Sequence, residues 1–171
     1  MGQGDTKLGT QGTPVKLASV SPRIGTSTDI VTSARVLNFY EFWLARCQND
    51  RLPKKADMDP VSMKTFLSGI VLTKVHSDPL DFEYRIIGDE VIARLGNMTG
   101  KRVRGGALIN LSNAAYQNYC AVVDSKVPQF LEGTAMTAFR KDRPYTFSRV
   151  HCPLSDDGNN VDYIISYVTF L

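Results

Sequence analysis

The sequence is poor in the side chains that most chemistry uses. It holds two histidines, three cysteines and one tryptophan in 171 residues. Cys47, Cys120 and Cys152 are odd in number, lie far apart and form no CxxC pair. That usage fits a reducing compartment and no structural disulfide. A zinc site needs His and Cys ligands clustered at loop or helix spacing; none is present, and no metal is expected. His151 abuts Cys152, but neighbours on a strand point to opposite faces, so they make no nucleophile–base pair. His76 stands alone near a strand end, in solvent. No apolar run approaches the roughly 20 residues that cross a bilayer, and no apolar signal core opens the chain. The expected location is therefore the cytoplasm, without membrane insertion. "MGQGDT" fits the myristoylation pattern formally, a short match that chance often supplies. Net charge is also small. A net +3 is well short of the basic excess of a dedicated nucleic-acid binder, and no nucleic-acid partner is expected.

What is present is a core. With 43% hydrophobic residues, the chain suffices for one domain with little left over. Residues 1–32 are rich in Gly, Thr, Ser and Pro and lack apolar periodicity, so they read as a flexible leader. From Ser33 the pattern changes. Val36, Tyr40, Trp43 and Cys47 recur at helical spacing, widened by Leu37 and Leu44, which predicts an amphipathic helix over 33–48. Asp59-Pro60 is a helix start, with Phe66, Leu67 and Ile70 on the buried side. "GIVLTKVH" and "DFEYRIIG" read as a hairpin around "SDPL". A short helix follows, capped at Gly88-Asp89, carrying Val91, Ile92 and Leu95. Tyr116, Tyr119, Cys120 and Val123 mark a longer helix. "VPQFLEGTAMTAF", "YTFSRVHCPL" and "VDYIISYVTFL" are strand candidates, the last two joined by the turn-rich "SDDGNN".

Two strands, helices, then a three-strand meander predict an α+β domain with an antiparallel, five-stranded sheet. The last strand is apolar on both sides: Val161, Tyr163, Ile165 and Tyr167 on one, Ile164, Val168 and Phe170 on the other. Both faces must therefore be covered. The 33–48 helix is the natural second cover, within the chain or across a homodimer. "GNMTGKRVRGG" raises a phosphate loop, but it supplies neither GxGxxG nor GxxxxGK[ST] and follows no parallel strand. It reads as scaffold, and Lys101, Arg102 and Arg104 as a solvated basic loop.

The element order resembles that of a PAS domain. "LPKKADMDP" after a Trp-bearing helix, "DPLDFEYRIIGDEV", "TGKRV" and "CPLSDDGNNVDYIISYVTF" together resemble a bacterial, alphaproteobacterial-type family of compact, largely stand-alone PAS-like proteins, over residues 33–171. The resemblance implies a sensory or regulatory module that binds a small ligand or a signalling partner, and no reaction. It places Tyr84 and Ile86 on a strand lining a cavity walled by the helices after Gly88. A haem would lack a histidine on the long helix, which offers Tyr116, Tyr119 and Cys120. The flavin-reactive asparagine-cysteine-arginine motif of photosensor relatives is absent, and no cofactor is expected. "PLSDDG" has proline where a cyclic-dinucleotide receptor of the barrel type needs aspartate.

The expected cavity lining is Tyr84, Ile86, Tyr119, Phe147, Arg149 and Tyr163. Arg149 shares a face with Tyr145, Phe147 and His151. It either pairs with Asp162 across the hairpin or enters the cavity to hold a ligand carboxylate or phosphate. Tyr84, Tyr119 and Tyr163 would supply aromatic walls with hydroxyls, or simply core. The alternative function is a small hydrolase or isomerase using the cavity tyrosines and Arg149. It lacks a nucleophile–base or carboxylate pair, so no catalytic residue is assigned.

Overall fold

A computed structural model describes residues 23–104, 109–135 and 144–171. β-branched and aromatic runs become strands β2 (Ile70–Ser77), β3 (Leu80–Ile87), β4 (Gln129–Ala135), β5 (Tyr145–Leu154) and β6 (Tyr163–Phe170). A short strand, β1 (Arg23–Gly25), precedes them. The helices are α1 (Ala34–Leu44), α2 (Asp89–Leu95) and α3 (Ile109–Ser125). All strands pair antiparallel in the order β1-β4-β5-β6-β2-β3. The α+β reading holds, with one strand more than the five expected.

That extra strand redraws the leader. Residues 1–22 lie outside the described residues, as do 105–108 and 136–143, which hold the end of "VPQFLEGTAMTAF" and part of the basic loop. Residues 23–32 pack on the sheet. β1 pairs with β4, Val31 is buried in the core, and the Thr32 backbone N–H donates to Glu132 Oε2 at 2.7 Å. Glu132 also accepts from Arg23 at 2.7 Å.

α1 covers the outer face from within the chain. Its buried side is Val36, Phe39 and Trp43; Phe39, passed over in the helical stripe, is fully enclosed. Phe39 meets Tyr167 and Phe66, each at 5.3 Å between ring centroids. Trp43 Nε1 donates to the Pro153 carbonyl at 3.0 Å. Burying one such aromatic contributes about 1.5–3 kcal/mol. Among the described residues the sheet face beneath α1 is thereby filled, and the outward flank of α1 is open to another chain. α1 also ends sooner than expected, and Leu44 is exposed.

Asp59 does accept from the Ser62 N–H and hydroxyl, both at 3.0 Å. Turns follow it in place of the expected helix, and a 3-10 turn spans Leu67–Gly69. Leu67 is exposed, not part of a buried side. Gly88 then opens α2 where a Cβ would strike the carbonyl oxygens of Leu67 and Ser68. Gly96, at φ 85°, ends it.

One irregularity matters for the inner face. Leu72 pairs with Ile86, but Thr73 pairs with Tyr84. Arg85 is the extra residue of a bulge, which breaks the in-out alternation of β3.

Candidate functional site

β5 carries the site because its alternation splits chemistry from packing. Val150, Cys152 and Leu154 join the outer core under α1, while Tyr145, Phe147, Arg149 and His151 face the side of α2 and α3. Register sets their neighbours: Arg149 lies between Leu131 and Val168, and His151 between Gln129 and Ser166. α3 brings Tyr119 over this face, its ring 5.0 Å from that of His151 and 6.4 Å from that of Tyr84. Val71, Ile87, Val91, Leu131, Phe147 and Val168 form the apolar cluster alongside.

Set into this apolar surface are polar groups without partners. Thr73 Oγ1, Arg149 Nε and His151 Nε2 are buried, and none has a hydrogen-bond partner. Buried polar atoms are normally bonded, and each orphan costs roughly 1–3 kcal/mol. Two further unpartnered hydroxyls, those of Ser148 and Tyr167, lie on the outer face; these three share the inner one. The Arg149 guanidinium lies 4.8 Å from the Phe147 ring centroid, and among the described residues no carboxylate reaches it within ion-pair distance.

The electrostatics follow from the burial. Desolvation, then the Arg149 charge, hold His151 well below its ordinary value of 6.5, so the ring is neutral near pH 7. Its Nδ1 lies 2.6 Å from Ser166 Oγ. Desolvation and the adjacent Tyr119 push the Tyr84 phenol well above 10.0, with Arg149 pulling the other way. The Tyr84 phenol is a hydrogen-bonding group here, not an acid or a base.

Four of the six expected lining residues share this face: Tyr84, Tyr119, Phe147 and Arg149. Ile86 does not. The bulge at Arg85 turns it out of the inner face, and it is 54% exposed. Tyr163 does not either. It pairs with Leu154 and Lys74, packs on the outer core and lies under the Lys55 ammonium at 5.0 Å. The pairing of Arg149 with Asp162 is absent as well. Asp162 sits beyond the far end of β5, its Oδ2 accepting from the Asp156 N–H at 2.8 Å. Thr73, His151 and Ser166 complete the site. Thr73 shares the face of Val71 and Val75 at strand spacing, which is legible in the sequence; the His151–Ser166 pair depends on register, which is not.

The basic loop is scaffold. Its backbone runs along β3, with Tyr84 N–H donating to Lys101 O at 3.1 Å and Val103 N–H to Phe82 O at 2.9 Å. Arg102 approaches Asp81 and Glu83 at 3.8 and 3.9 Å, and Arg104 lies 4.7 Å from the Tyr116 ring centroid. His76, expected in solvent, lies 2.9 Å from Glu83. Among the described residues no His, Cys, Asp and Glu cluster suits a metal ion, and no helix is long and apolar enough to cross a membrane.

An antiparallel sheet with short helices over one face, and polar groups buried between, is a PAS-like α+β architecture. A family profile described as "PAS domain" matches residues 31–162, and the chain belongs to that family. Among solved structures it is similar to one described as "Structure of an RNA-binding Light-Oxygen-Voltage Receptor", at 11% identity and a TM-score of 0.46. That likeness covers 70% of this chain and 36% of the other, so this chain spans well under half of that receptor. No curated protein matches.

Proposed function

We propose that this chain is a sensory or regulatory module of the cytoplasm that takes a small ligand between its sheet and α2 and α3, without catalytic turnover. One observation carries the reading: Thr73, Arg149 and His151 present unsatisfied polar atoms on one largely apolar face. A ligand that supplies partners there recovers their desolvation and stabilises the arrangement of α2 and α3. Tyr84, Tyr119 and Phe147 form its aromatic wall. Native mass spectrometry of freshly purified protein tests this directly. A mass above that of the polypeptide, lost in Arg149→Met, is the expected result; the bare polypeptide alone would count against it.

The same spectrum reports subunit number. A homodimer through the outward flank of α1 is the expected assembly, because Leu44 is exposed and an open groove of about 400 Å³ runs along Leu37, Tyr40 and Leu44. A monomer in light scattering at tens of micromolar, the range roughly set by weak-interface affinities, refutes it.

The alternative, a hydrolase or isomerase using the cavity tyrosines and Arg149, gains one candidate pair in the structure, His151 at 2.6 Å from Ser166. Three features disfavour it. Burial and Arg149 weaken His151 as a base, its Nε2 has no partner, and among the described residues no carboxylate orients the ring. An ester substrate turned over by the intact protein and not by Ser166→Ala would restore it.

A further inference from the structure

The inner face holds one cation with a buried stem and, among the described residues, no anion to match it. We propose that this face selects a monoanionic organic acid with an apolar body, its carboxylate on Arg149 and its body against Leu131, Phe147, Val168 and Val91. The proposal rests on the ligand-binding reading above and narrows it to a chemical class.

The charge comes first. A guanidinium offers only donors and does not deprotonate in proteins. The buried Nε therefore requires an acceptor, and a carboxylate matches its fork in two parallel bonds. The Phe147 ring at 4.8 Å occupies one side of the guanidinium plane and directs binding to its edge. His151 adds no second charge, since it is neutral near pH 7. With Thr73 it offers uncharged hydrogen-bonding positions.

The surroundings then set the rest of the ligand. Arg149 is half-buried, and Val71, Ile87, Val91, Leu131 and Val168 form the apolar surface on its face of the sheet. A second negative charge would be buried there without compensation, which disfavours phosphates and dicarboxylates. Arg94, 5.5 Å from the Phe170 ring centroid, is exposed, where solvent screens its charge.

The test uses the full chain and two matched sets, octanoate with octan-1-ol and octanedioate, and phenylacetate with 2-phenylethanol, alongside inorganic phosphate. Binding is followed by calorimetry and ligand-observed NMR. The expected result is that at least one monoacid binds roughly ten- to a hundredfold tighter than its alcohol, the span of a charged hydrogen bond. It also exceeds the diacid and phosphate. Arg149→Met removes the preference for acid and leaves alcohol binding in place. Should that variant fail to fold, Arg149→Lys serves, retaining charge but lowering the acid-to-alcohol ratio. An alcohol bound as tightly as its acid, or phosphate or the diacid bound best, overturns the class and leaves a ligand-binding face. Failure of every probe, acid and neutral, with a native spectrum of bare polypeptide, overturns both.

Discussion

A hydroxyl buried without a partner is a liability that substitution exposes. Thr73 is fully buried and its Oγ1 unbonded, so Thr73→Val exchanges it for a methyl of similar shape. The unliganded protein should keep its stability or gain up to about 1 kcal/mol. A fall of that size in a urea denaturation series would mean the hydroxyl has a partner. Gly88 runs the other way. A Cβ there collides with the Leu67 and Ser68 carbonyls, which are backbone and cannot swing aside, so Gly88→Ala should destabilise by roughly 1–3 kcal/mol. An unchanged midpoint would refute that crowding. At this scale alternation within one strand was legible: Phe147 and Arg149 on a common face follow from β5 alone. Contacts between strands were not. His151 meets Ser166 because the loop from Leu154 to Tyr163 fixes a register that no local pattern encodes.

Among the elements, β1 and the turn after it hang largely on one carboxylate. Glu132 accepts from the Thr32 N–H and hydroxyl and from Arg23. Partial burial works to raise its proton affinity, but the Thr32 and Arg23 hydrogen bonds oppose it, and its pKa lies below 4.5. As pH falls, the unfolded chain binds that proton first. The contribution is thus complete above about pH 4.5 and is lost as pH falls through the lower folded value. Amide protection factors at Ile24 and Thr32 should fall over that acid window, and Glu132→Gln should bring the same loss of protection at neutral pH. Slow exchange in the variant would show that β-pairing alone holds the segment. Composition hid this element, since three strand residues and a buried Val31 leave little trace in a Gly- and Thr-rich stretch. The bulge in β3 was hidden too. "EYRII" reads as regular alternation, and only pairing with β2 reveals that Arg85 has no opposite number.

For the whole molecule, the one tryptophan is a reporter on the face away from the site. Trp43 is buried, its indole N–H held by the Pro153 carbonyl. A ligand on the inner face should raise the melting temperature while leaving Trp43 emission where it is, provided α1 stays seated. A ligand-dependent emission shift would show that α1 moves with occupancy. The order of elements and the need to cover both faces were legible because they follow from hydropathy. Which face would be polar was not, because it depends on three side chains that end without partners.

The middle of the sheet has no thickness to spare. Arg149 and His151 stand on one side of β5, Val150 and Cys152 on the other, joined by single peptide units. Whatever tilts the strand at one residue tilts its neighbour by the same covalent step. A ligand that did tilt β5 would displace the packing beneath α1 with no relay of side chains in between, and a shift in Trp43 emission would report it.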